Sequence, residues 1–389
     1  MGIKVELSNK LKSLPPYLFV EIDRAKKEAL REGKDIIDLG VGDPDRPTPR
    51  FITKALHKAS LDPKTHKYAL DRGLSELRVE IARWYKTRFG VKLDPDKEVL
   101  PLIGSKEGIA HIPLAFINGG DIGLVPDPCY PPYKSSIIFA GGQVHIMPLL
   151  ENNHFLPDLP LIKPGILAKA KVLFLNYPNN PTAAVCDSSF FKKVVRFADE
   201  HNIIVCHDAA YSEISFDGLN VPSFLETDGA KEVGVEFHSF SKTFNMTGWR
   251  LGFVCGNQDI IAALTKVKSN IDSGVFNAIQ IAGIEAMRNS DRVIADLKAL
   301  YEKRRNVFVD GLNKIGWKMP KPKATFYVWA PVLGRYTSVS LAKEFLEKAG
   351  VVITPGNGFG ESGEGFVRMA LTVDETRLKE AVERIKRII

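Results

Sequence analysis

A lysine, an arginine and several hydroxyl groups lie within one short stretch of the chain that could perform covalent chemistry. The stretch FHSFSKTFNMTGWRLGFVCG spans residues 237–256 and carries Lys242 in a Ser-rich loop, with Arg250 eight positions later. An amine held where a strand ends, with hydroxyls and a guanidinium nearby, suits covalent capture of an aldehyde that carries a phosphate. The alternative is an ordinary polar loop between two strands, and the rest of the chain decides between them.

Polar side chains also follow other apolar runs in the middle of the chain. KVLFLNYPNNP and NIIVCHDAAY read as strands separated by a helix over residues 187–201, and VEFHSFSK reads as the next strand. Alternating strands and helices predict right-handed crossovers and a mostly parallel sheet with helices on both faces. Ligands of such sheets collect at the carboxyl ends of the strands. The polar residues at or just past these ends are Asn180, Asp208, Tyr211, Ser239 and Lys242.

A strand-to-helix turn earlier in the chain predicts an anion site. An apolar strand stops at Gly104, and Ser105 and Lys106 open the amphipathic segment SKEGIAHIPLAFI. Such a turn presents free backbone N–H groups, a hydroxyl and the positive end of the helix to a phosphate. Ordinary N-capping by Ser105 is the alternative. Tyr130, in the Pro-rich loop DPCYPPY, could stack on a flat ring or simply pack.

Together these groups match the demands of pyridoxal phosphate. Lys242 can form the Schiff base, and Asp208 can keep the pyridine nitrogen protonated so that the ring withdraws electrons. Asn180 and Tyr211 are available for the phenolic oxygen of the ring. The phosphate would be held by Gly104, Ser105, Ser239 and Arg250, with Tyr130 stacked on the ring.

An amino-acid substrate also needs a group that holds its carboxylate. Arg368 lies in the apolar strand FVRMALTV, and a bidentate guanidinium suits this role. The alternative is that Arg368 pairs with a neighbouring Glu or Asp, since a buried arginine needs an anionic partner.

The chain is long enough for more than one lobe. Its 389 residues exceed the size at which a single core stops growing. After Ser273 a long helical region begins, and strands divided by helices follow without the earlier buried runs. We expect a large cofactor-binding domain over residues 35–285 and a small α+β domain formed by residues 1–34, an N-terminal arm, and residues 286–389.

Composition narrows the class of protein. The 53 Lys and Arg are interspersed with 46 Asp and Glu and form no long basic block, so we expect no nucleic-acid partner. Four scattered cysteines form no CxxC pair and favour a reduced, cytoplasmic protein without a metal site. No apolar run approaches the roughly 18 residues that span a bilayer. Gly40 and Gly42 do not complete a dinucleotide fingerprint, because the third glycine is missing.

The motifs AAYSEISFDG and HSFSKTFNMTGWRLGF resemble the signature of the fold-type I pyridoxal-phosphate aminotransferases of class I/II, and the similarity extends along essentially the whole chain. The resemblance implies the family's α/β fold and the cofactor roles given above for Lys242, Asp208, Asn180, Tyr211 and the phosphate ligands. It also places Arg368 at the substrate carboxylate, with Gly40 in the substrate site. Finally, it implies a homodimer in which Tyr68 reaches the phosphate of the partner subunit.

Other segments are similar to one branch of this family. LPPYLFVEID, GSKEGIAHIPLAF, LNYPNNPTAA, KSNIDSGVF and PKATFYVWAP resemble the enzymes that exchange an amino group between LL-2,6-diaminopimelate and 2-oxoglutarate in lysine biosynthesis. By that resemblance Tyr17 and Lys106 lie near the substrate. Related enzymes commonly carry Glu shortly after the partner's tyrosine to hold the distal ammonium, where this chain has Asp71.

Three other functions fit parts of the pattern. An aminotransferase for aspartate, aromatic or other amino acids needs the same cofactor site. A lyase acting by β-elimination or decarboxylation could use the same fold. A non-catalytic ligand sensor is disfavoured because no DNA-binding segment is attached and the catalytic set is complete.

Overall fold

Strands and helices alternate along most of the chain, as the sequence predicts. The computed structural model describes residues 2–14, 18–69 and 72–389, with the backbone alone over 18–23. The strands are β1 (Ile37–Asp38), β2 (Val99–Leu102), β3 (Ile122–Asp127), β4 (Gln143–Pro148), β5 (Ala170–Leu175), β6 (Ile204–Asp208), β7 (Gly234–Ser239), β8 (Gly252–Gly256), β9 (Tyr327–Pro331), β10 (Val351–Val352), β11 (Thr354–Pro355) and β12 (Phe366–Ala370).

Helices of very different length cover these strands. They are α1 (Asn9–Lys12), α2 (Leu18–Arg31), α3 (Arg50–Ser60), α4 (Ser75–Phe89), α5 (Ser105–Phe116), α6 (Pro132–Ala140), α7 (Pro164–Leu167), α8 (Ser188–His201), α9 (Ala230–Val233), α10 (Phe240–Thr243), α11 (Gln258–Ser269), α12 (Asn277–Arg288), α13 (Ser290–Lys314), α14 (Ser338–Glu344) and α15 (Glu375–Ile385). Within the described ranges, no helix combines the length and the apolar character needed to cross a membrane.

The central sheet is mostly parallel, which confirms the predicted fold class. Among the described residues its seven strands run in the order β2-β8-β7-β6-β5-β3-β4. The pairs β3–β4, β3–β5, β5–β6 and β6–β7 are parallel. The chain turns back after the Lys242 stretch, so β8 runs antiparallel to β7. Strand β8 is also antiparallel to β2, its other neighbour.

Both faces of the central sheet are buried. Successive side chains of a strand point to opposite faces, and in β5 Val172 and Phe174 join one hydrophobic cluster while Leu173 and Leu175 join another. Such strands read as continuous apolar runs because helices cover both sides. The unbroken apolar run of residues 172–175 is therefore typical of a strand that is buried on both faces.

Helix α8 shows how local sequence sets the ends of a crossover. The Asp187 carboxylate accepts a hydrogen bond from the N–H of Phe190 at 2.9 Å, which caps the first turn. Asn202 ends the helix in the left-handed conformation, with φ of 53°. The apolar positions between them face the core, and this confirms the predicted helix.

A second core surrounds the C-terminal strands. Strands β11, β12 and β9 form an antiparallel sheet that carries Arg368 in its middle strand. The run DIIDLGVG forms a strand only at β1, which pairs in parallel with β10. Ile37 and Leu39 pack in this second core, although the predicted large domain begins at residue 35. The division into 35–285, and 1–34 with 286–389, stays a prediction.

Candidate active site

Lys242 lies in a short helical turn at the carboxyl end of β7. The hydroxyl of Ser239 accepts a hydrogen bond from the N–H of Ser241 at 3.3 Å and so caps α10, which places Lys242 in a helical turn rather than in a loop. The Lys242 ammonium nitrogen, Nζ, donates to the carbonyl oxygen of Gly42 at 2.8 Å. It also lies 5.5 Å above the ring of Phe326. The amine is therefore held between the loop that contains Gly42 and the second core, to which Phe326 belongs.

The surroundings of Lys242 favour its neutral form. Burial, together with the nearby charges of Arg368 and Arg250 and against the opposing charge of Asp43, lowers the pKa of the amine to about 8. A neutral amine is the nucleophilic form that attacks a carbonyl carbon. At neutral pH, Lys242 is thus far closer to its reactive state than a solvent-exposed lysine.

Asp208 ends β6 with one carboxylate oxygen fixed and the other open. Oδ2 accepts a hydrogen bond from the hydroxyl of Tyr133 at 2.8 Å, and the ring of Tyr133 stacks on Phe174 at 5.0 Å. Oδ1 is buried and has no hydrogen-bond partner among the described residues. Burial raises the pKa of Asp208, and the Tyr133 hydrogen bond and His207 work against this rise. A buried acceptor without a donor needs a partner such as a protonated ring nitrogen.

The first turn of α5 and the guanidinium of Arg250 form an anion cradle. Gly104, and not Ser105, is the N-cap residue of α5, so the capping role considered for Ser105 is wrong. Gly104 has φ of 73°, and a Cβ there would lie 2.4 Å from Nη2 of Arg250. A Cβ at Gly252 would lie 2.6 Å from the backbone nitrogen of Ser105. Only glycines let Arg250 and β8 approach the helix start this closely.

Arg368 joins Asn180 and Gly40 in one buried cluster. Its Nη1 donates to Oδ1 of Asn180 at 2.7 Å, and its Nη2 donates to the carbonyl oxygen of Gly40 at 2.7 Å. The guanidinium carbon lies 4.2 Å from the ring centre of Tyr327 and 4.6 Å from that of Phe359. Two neutral acceptors bind the guanidinium close to two aromatic rings, and its planar fork is suited to a carboxylate.

Three residues that the sequence did not indicate help to build the site. The hydroxyl of Tyr327 lies 3.0 Å from the hydroxyl of Tyr211. A Cβ on Gly42 would lie 2.1 Å from the Tyr327 hydroxyl. Gly42 also supplies the carbonyl oxygen for Lys242, and Tyr133 orients Asp208. The only sequence signal for Tyr133 was its place in the same Pro-rich loop as Tyr130, and none marked Tyr327.

The remaining predicted residues have more varied positions. Tyr130 packs edge-on against Tyr133 with ring centres 5.8 Å apart. Lys106 is the second residue of α5 and borders a cavity of about 1210 Å³ together with Phe359. Tyr68 lies at the surface with 79% exposure. Tyr17 and Asp71 lie outside the described residues, so their predicted roles stay predictions.

A cluster with metal-ligand geometry lies beside the cradle. Glu107, His111 and Asp272 bring ligand atoms within 4.8 Å of one another in the described part of the chain. The buried ammonium of Lys268 is 3.1 Å from Glu107 and 2.7 Å from Asp272. A cation therefore already pairs with the two carboxylates. The expectation of no metal site stays a prediction.

These groups together fit pyridoxal phosphate. The amine of Lys242 suits its aldehyde, the open oxygen of Asp208 suits its ring nitrogen, and the cradle suits its phosphate. The fork of Arg368 has the geometry that suits a substrate carboxylate.

Comparisons with known proteins agree with this geometry. The family model of aminotransferase class I and II matches residues 34–385. The LL-diaminopimelate aminotransferase of Syntrophobacter fumaroxidans is 55% identical over 381 residues, and that of Moorella thermoacetica is 53% identical over 382 residues; each match covers 98% of both chains. The substrate-bound structure of BacF from Bacillus subtilis superposes with a TM-score of 0.95 at 43% identity, covering 99% of this chain and 98% of that chain.

Proposed function

Because the chain belongs to the class I and II aminotransferases, we propose that it exchanges an amino group between LL-2,6-diaminopimelate and 2-oxoglutarate in lysine biosynthesis. It is an aminotransferase, and its cofactor, as in its family, is pyridoxal 5'-phosphate. The observation that carries the chemistry is that the site contains both a buried amine of lowered pKa, Lys242, and a buried carboxylate oxygen of Asp208 that has no hydrogen-bond partner among the described residues. The choice of substrate rests on relatives of that activity at 53% and 55% identity.

Lys242 and Asp208 divide the proton chemistry between them. When bound, pyridoxal phosphate supplies an aldehyde and a protonated ring that withdraws electrons from the substrate. Oδ1 of Asp208 would keep the proton on the ring nitrogen, while Tyr133 fixes Oδ2. The free amine of Lys242 would act as general base and take the proton from the substrate Cα. Its lowered pKa suits proton transfer near neutral pH.

Neutral and cationic donors position the rest of the cofactor and the substrate. Tyr211, fixed by Tyr327, and Asn180 donate to the phenolic oxygen. The phosphate would be held by Gly104, Ser105, Ser239 and Arg250, and Tyr130 would stack on the ring. Lys106 lies at the border of cofactor and substrate.

Arg368 binds the carboxylate that every substrate of the reaction carries. An amino acid and a 2-oxoacid share the group next to the reacting carbon, so one guanidinium serves both halves of the exchange. Gly40 lies in the substrate site through its carbonyl contact with Arg368. Phe359, whose ring lies 4.6 Å from the guanidinium of Arg368, also borders the cavity that Lys106 lines. Tyr17 and Asp71 complete the distal recognition in this proposal.

A homodimer completes the site. Tyr68 is 79% exposed, which suits a side chain that is covered by a second copy and reaches the partner's phosphate. We place the enzyme in the cytoplasm, where its four free cysteines stay reduced.

A panel of amino donors with 2-oxoglutarate tests the proposal. LL-diaminopimelate is expected to give the highest kcat/KM among LL- and meso-diaminopimelate, aspartate, glutamate and aromatic amino acids. A higher kcat/KM with aspartate would overturn the substrate assignment. Continuous release of ammonia from an amino acid without a 2-oxoacid would instead mark a lyase. A Lys242→Ala variant that kept its turnover would overturn the mechanism.

A further inference from the structure

A buried lysine connects the phosphate cradle to the surface segment that carries Tyr68. Lys268, at the end of α11, has no exposed surface, although lysine is rarely buried without partners. Its Nζ pairs with Oε2 of Glu107 at 3.1 Å and with Oδ1 of Asp272 at 2.7 Å. The first partner belongs to α5 and the second to the loop that follows α11. One ammonium thus holds two elements together.

On the cradle side, Glu107 controls the start of α5. Its Oε2 accepts a hydrogen bond from the N–H of Ile103 at 3.0 Å, and its Oε1 lies 2.7 Å from Nδ1 of His111. Glu107 lies two residues after Ser105, in the turn that binds the phosphate. An unpaired carboxylate there would repel the phosphate, and the ammonium of Lys268, which Glu107 shares with Asp272, offsets part of this charge.

On the other side, Asp272 shapes the loop between α11 and α12. Its Oδ1 also accepts a hydrogen bond from the N–H of Gly274 at 2.7 Å. A Cβ on Gly274 would lie 3.2 Å from the side chain of Ala69, the neighbour of Tyr68. Asn277 donates from its amide to the carbonyl oxygen of Lys67 at 3.2 Å. The loop therefore lies close to Ala69, and the first residue of α12 holds the backbone of Lys67.

The same loop has the character of a surface that a second copy covers. Ile271 is 52% exposed and Phe276 is 42% exposed. Oδ2 of Asp272 is buried and has no hydrogen-bond partner among the described residues of one chain. Exposed apolar side chains beside an unsatisfied buried oxygen are expected where an interface is incomplete.

We propose that Lys268 is a positioning residue that couples the two cofactor sites of the dimer, by fixing each subunit's own phosphate cradle and the Tyr68 that it lends to its partner. This inference rests on the homodimer of the proposed function. The connection runs from Ser105 through Glu107, Lys268 and Asp272 to Tyr68, within one subunit. A perturbation at Lys268 therefore acts on both sites and not only on the nearer one.

Hybrid dimers separate the two effects. The measured quantity is the dissociation constant for pyridoxal phosphate, taken from the visible absorption of the Lys242-linked cofactor. A dimer of a Lys242→Ala subunit and a wild-type subunit has one linking lysine and is the reference. Pairing a Lys268→Met subunit with a Lys242→Ala subunit tests the cradle of the altered subunit. Pairing a Lys242→Ala/Lys268→Met subunit with a wild-type subunit tests only the Tyr68 that the altered subunit lends.

Both tests are expected to weaken cofactor binding by about 3- to 30-fold. Reference-level binding in the second hybrid would overturn the coupling. A parallel hybrid with Lys242→Ala/Tyr68→Phe tests the exchange of the tyrosine itself. If this hybrid binds the cofactor like the reference, the tyrosine exchange of the proposed function fails and takes the inference with it. If it binds weakly while the Lys268 hybrid does not, the inference alone fails.

Two further variants guard against a general loss of structure. Lys231→Met removes another lysine that pairs with a carboxylate, Glu98 at 2.6 Å, and is expected to leave cofactor binding unchanged in every hybrid. If Lys268→Met does not fold, Asp272→Asn replaces it, because an amide oxygen can still accept from Gly274. Weakened binding in the lent-tyrosine hybrid with Asp272→Asn supports the coupling, and unchanged binding overturns it.

Discussion

Replacing Tyr133 by Phe isolates the hydrogen bond that orients Asp208. The substitution removes one oxygen and keeps the ring that stacks on Phe174 at 5.0 Å. The lost bond joins a hydroxyl to a buried carboxylate at 2.8 Å. A hydrogen bond to a charged group contributes about 1.5–3 kcal/mol.

That free energy converts directly into an expected rate. If the full free energy of this bond is gained in the transition state and not in the ground state, its loss slows the first half-reaction by about 10- to 150-fold, since about 1.36 kcal/mol corresponds to a factor of ten. The hydrogen bond also lowers the pKa of Asp208 against the effect of burial. Without it the pKa of the carboxyl group rises, so the acidic limb of the pH–rate profile is expected to move to higher pH.

Single-turnover measurements with the loaded enzyme and an amino donor test this expectation, together with the dissociation constant for the cofactor. Tyr177→Phe is a matched control: its hydroxyl is also buried in the core but donates to the neutral carbonyl oxygen of Phe155 at 2.8 Å. The control should leave the rate and its pH profile near those of the wild type. Equal losses in the two variants, or an unchanged profile for Tyr133→Phe, would refute the orienting role.

Further expectations concern Lys242, Arg368 and Gly42. Capture of pyridoxal phosphate by the cofactor-free protein should accelerate as pH rises through about 8, the pKa to which burial lowers Lys242, because the neutral amine reacts; a midpoint near that of free lysine would contradict the burial argument. By linkage, the lowered pKa of Lys242 makes its full contribution to the free energy of unfolding above pH about 10.5, and this contribution is lost as the pH falls through about 8. Urea unfolding of the cofactor-free wild type and of Lys242→Met over this pH range measures the difference. Arg368→Lys should raise KM for amino acid and 2-oxoacid alike by about 10- to 100-fold, since a planar fork is lost; an effect on only one of the two substrates would argue against a shared carboxylate site. Gly42→Ala should reduce cofactor capture strongly because its Cβ would lie 2.1 Å from the hydroxyl of Tyr327, whereas Gly165→Ala, with open space around it, is the control; equal capture by both variants would show that the loop can shift freely.

Much of the fold follows from local patterns. The caps at Asp187 and Asn202 set helix α8, and the unbroken apolar run of β5 predicted a strand buried on both faces. The run DIIDLGVG was less informative, because Gly40, Gly42 and Pro44 limit its pairing to Ile37–Asp38. A run of apolar residues predicts that a strand is buried, but it does not specify the sheet to which the strand belongs.

Part of the candidate site could also be predicted from local patterns in the sequence. Lys242, Asp208 and Asn180 stand at strand ends, and in a parallel sheet the carboxyl ends share one edge. Tyr133 and Tyr327 gave no comparable signal. Tyrosines in a loop and in an apolar strand usually pack, and only their hydroxyl contacts distinguish them from core residues.

The sequence by itself determined the chemistry that is available: an amine, a carboxylate and an anion-binding helix start along one sheet edge, with an arginine in a distant strand. Those properties depend on residue type and on periodicity, which are local. The tertiary structure alone decided that Arg368 meets Asn180 at 2.7 Å, that one oxygen of Asp208 stays open, and that Lys268 joins α5 to the segment of Tyr68. These are contacts between residues as many as 188 positions apart, and they depend on how the two cores pack, which no local pattern encodes.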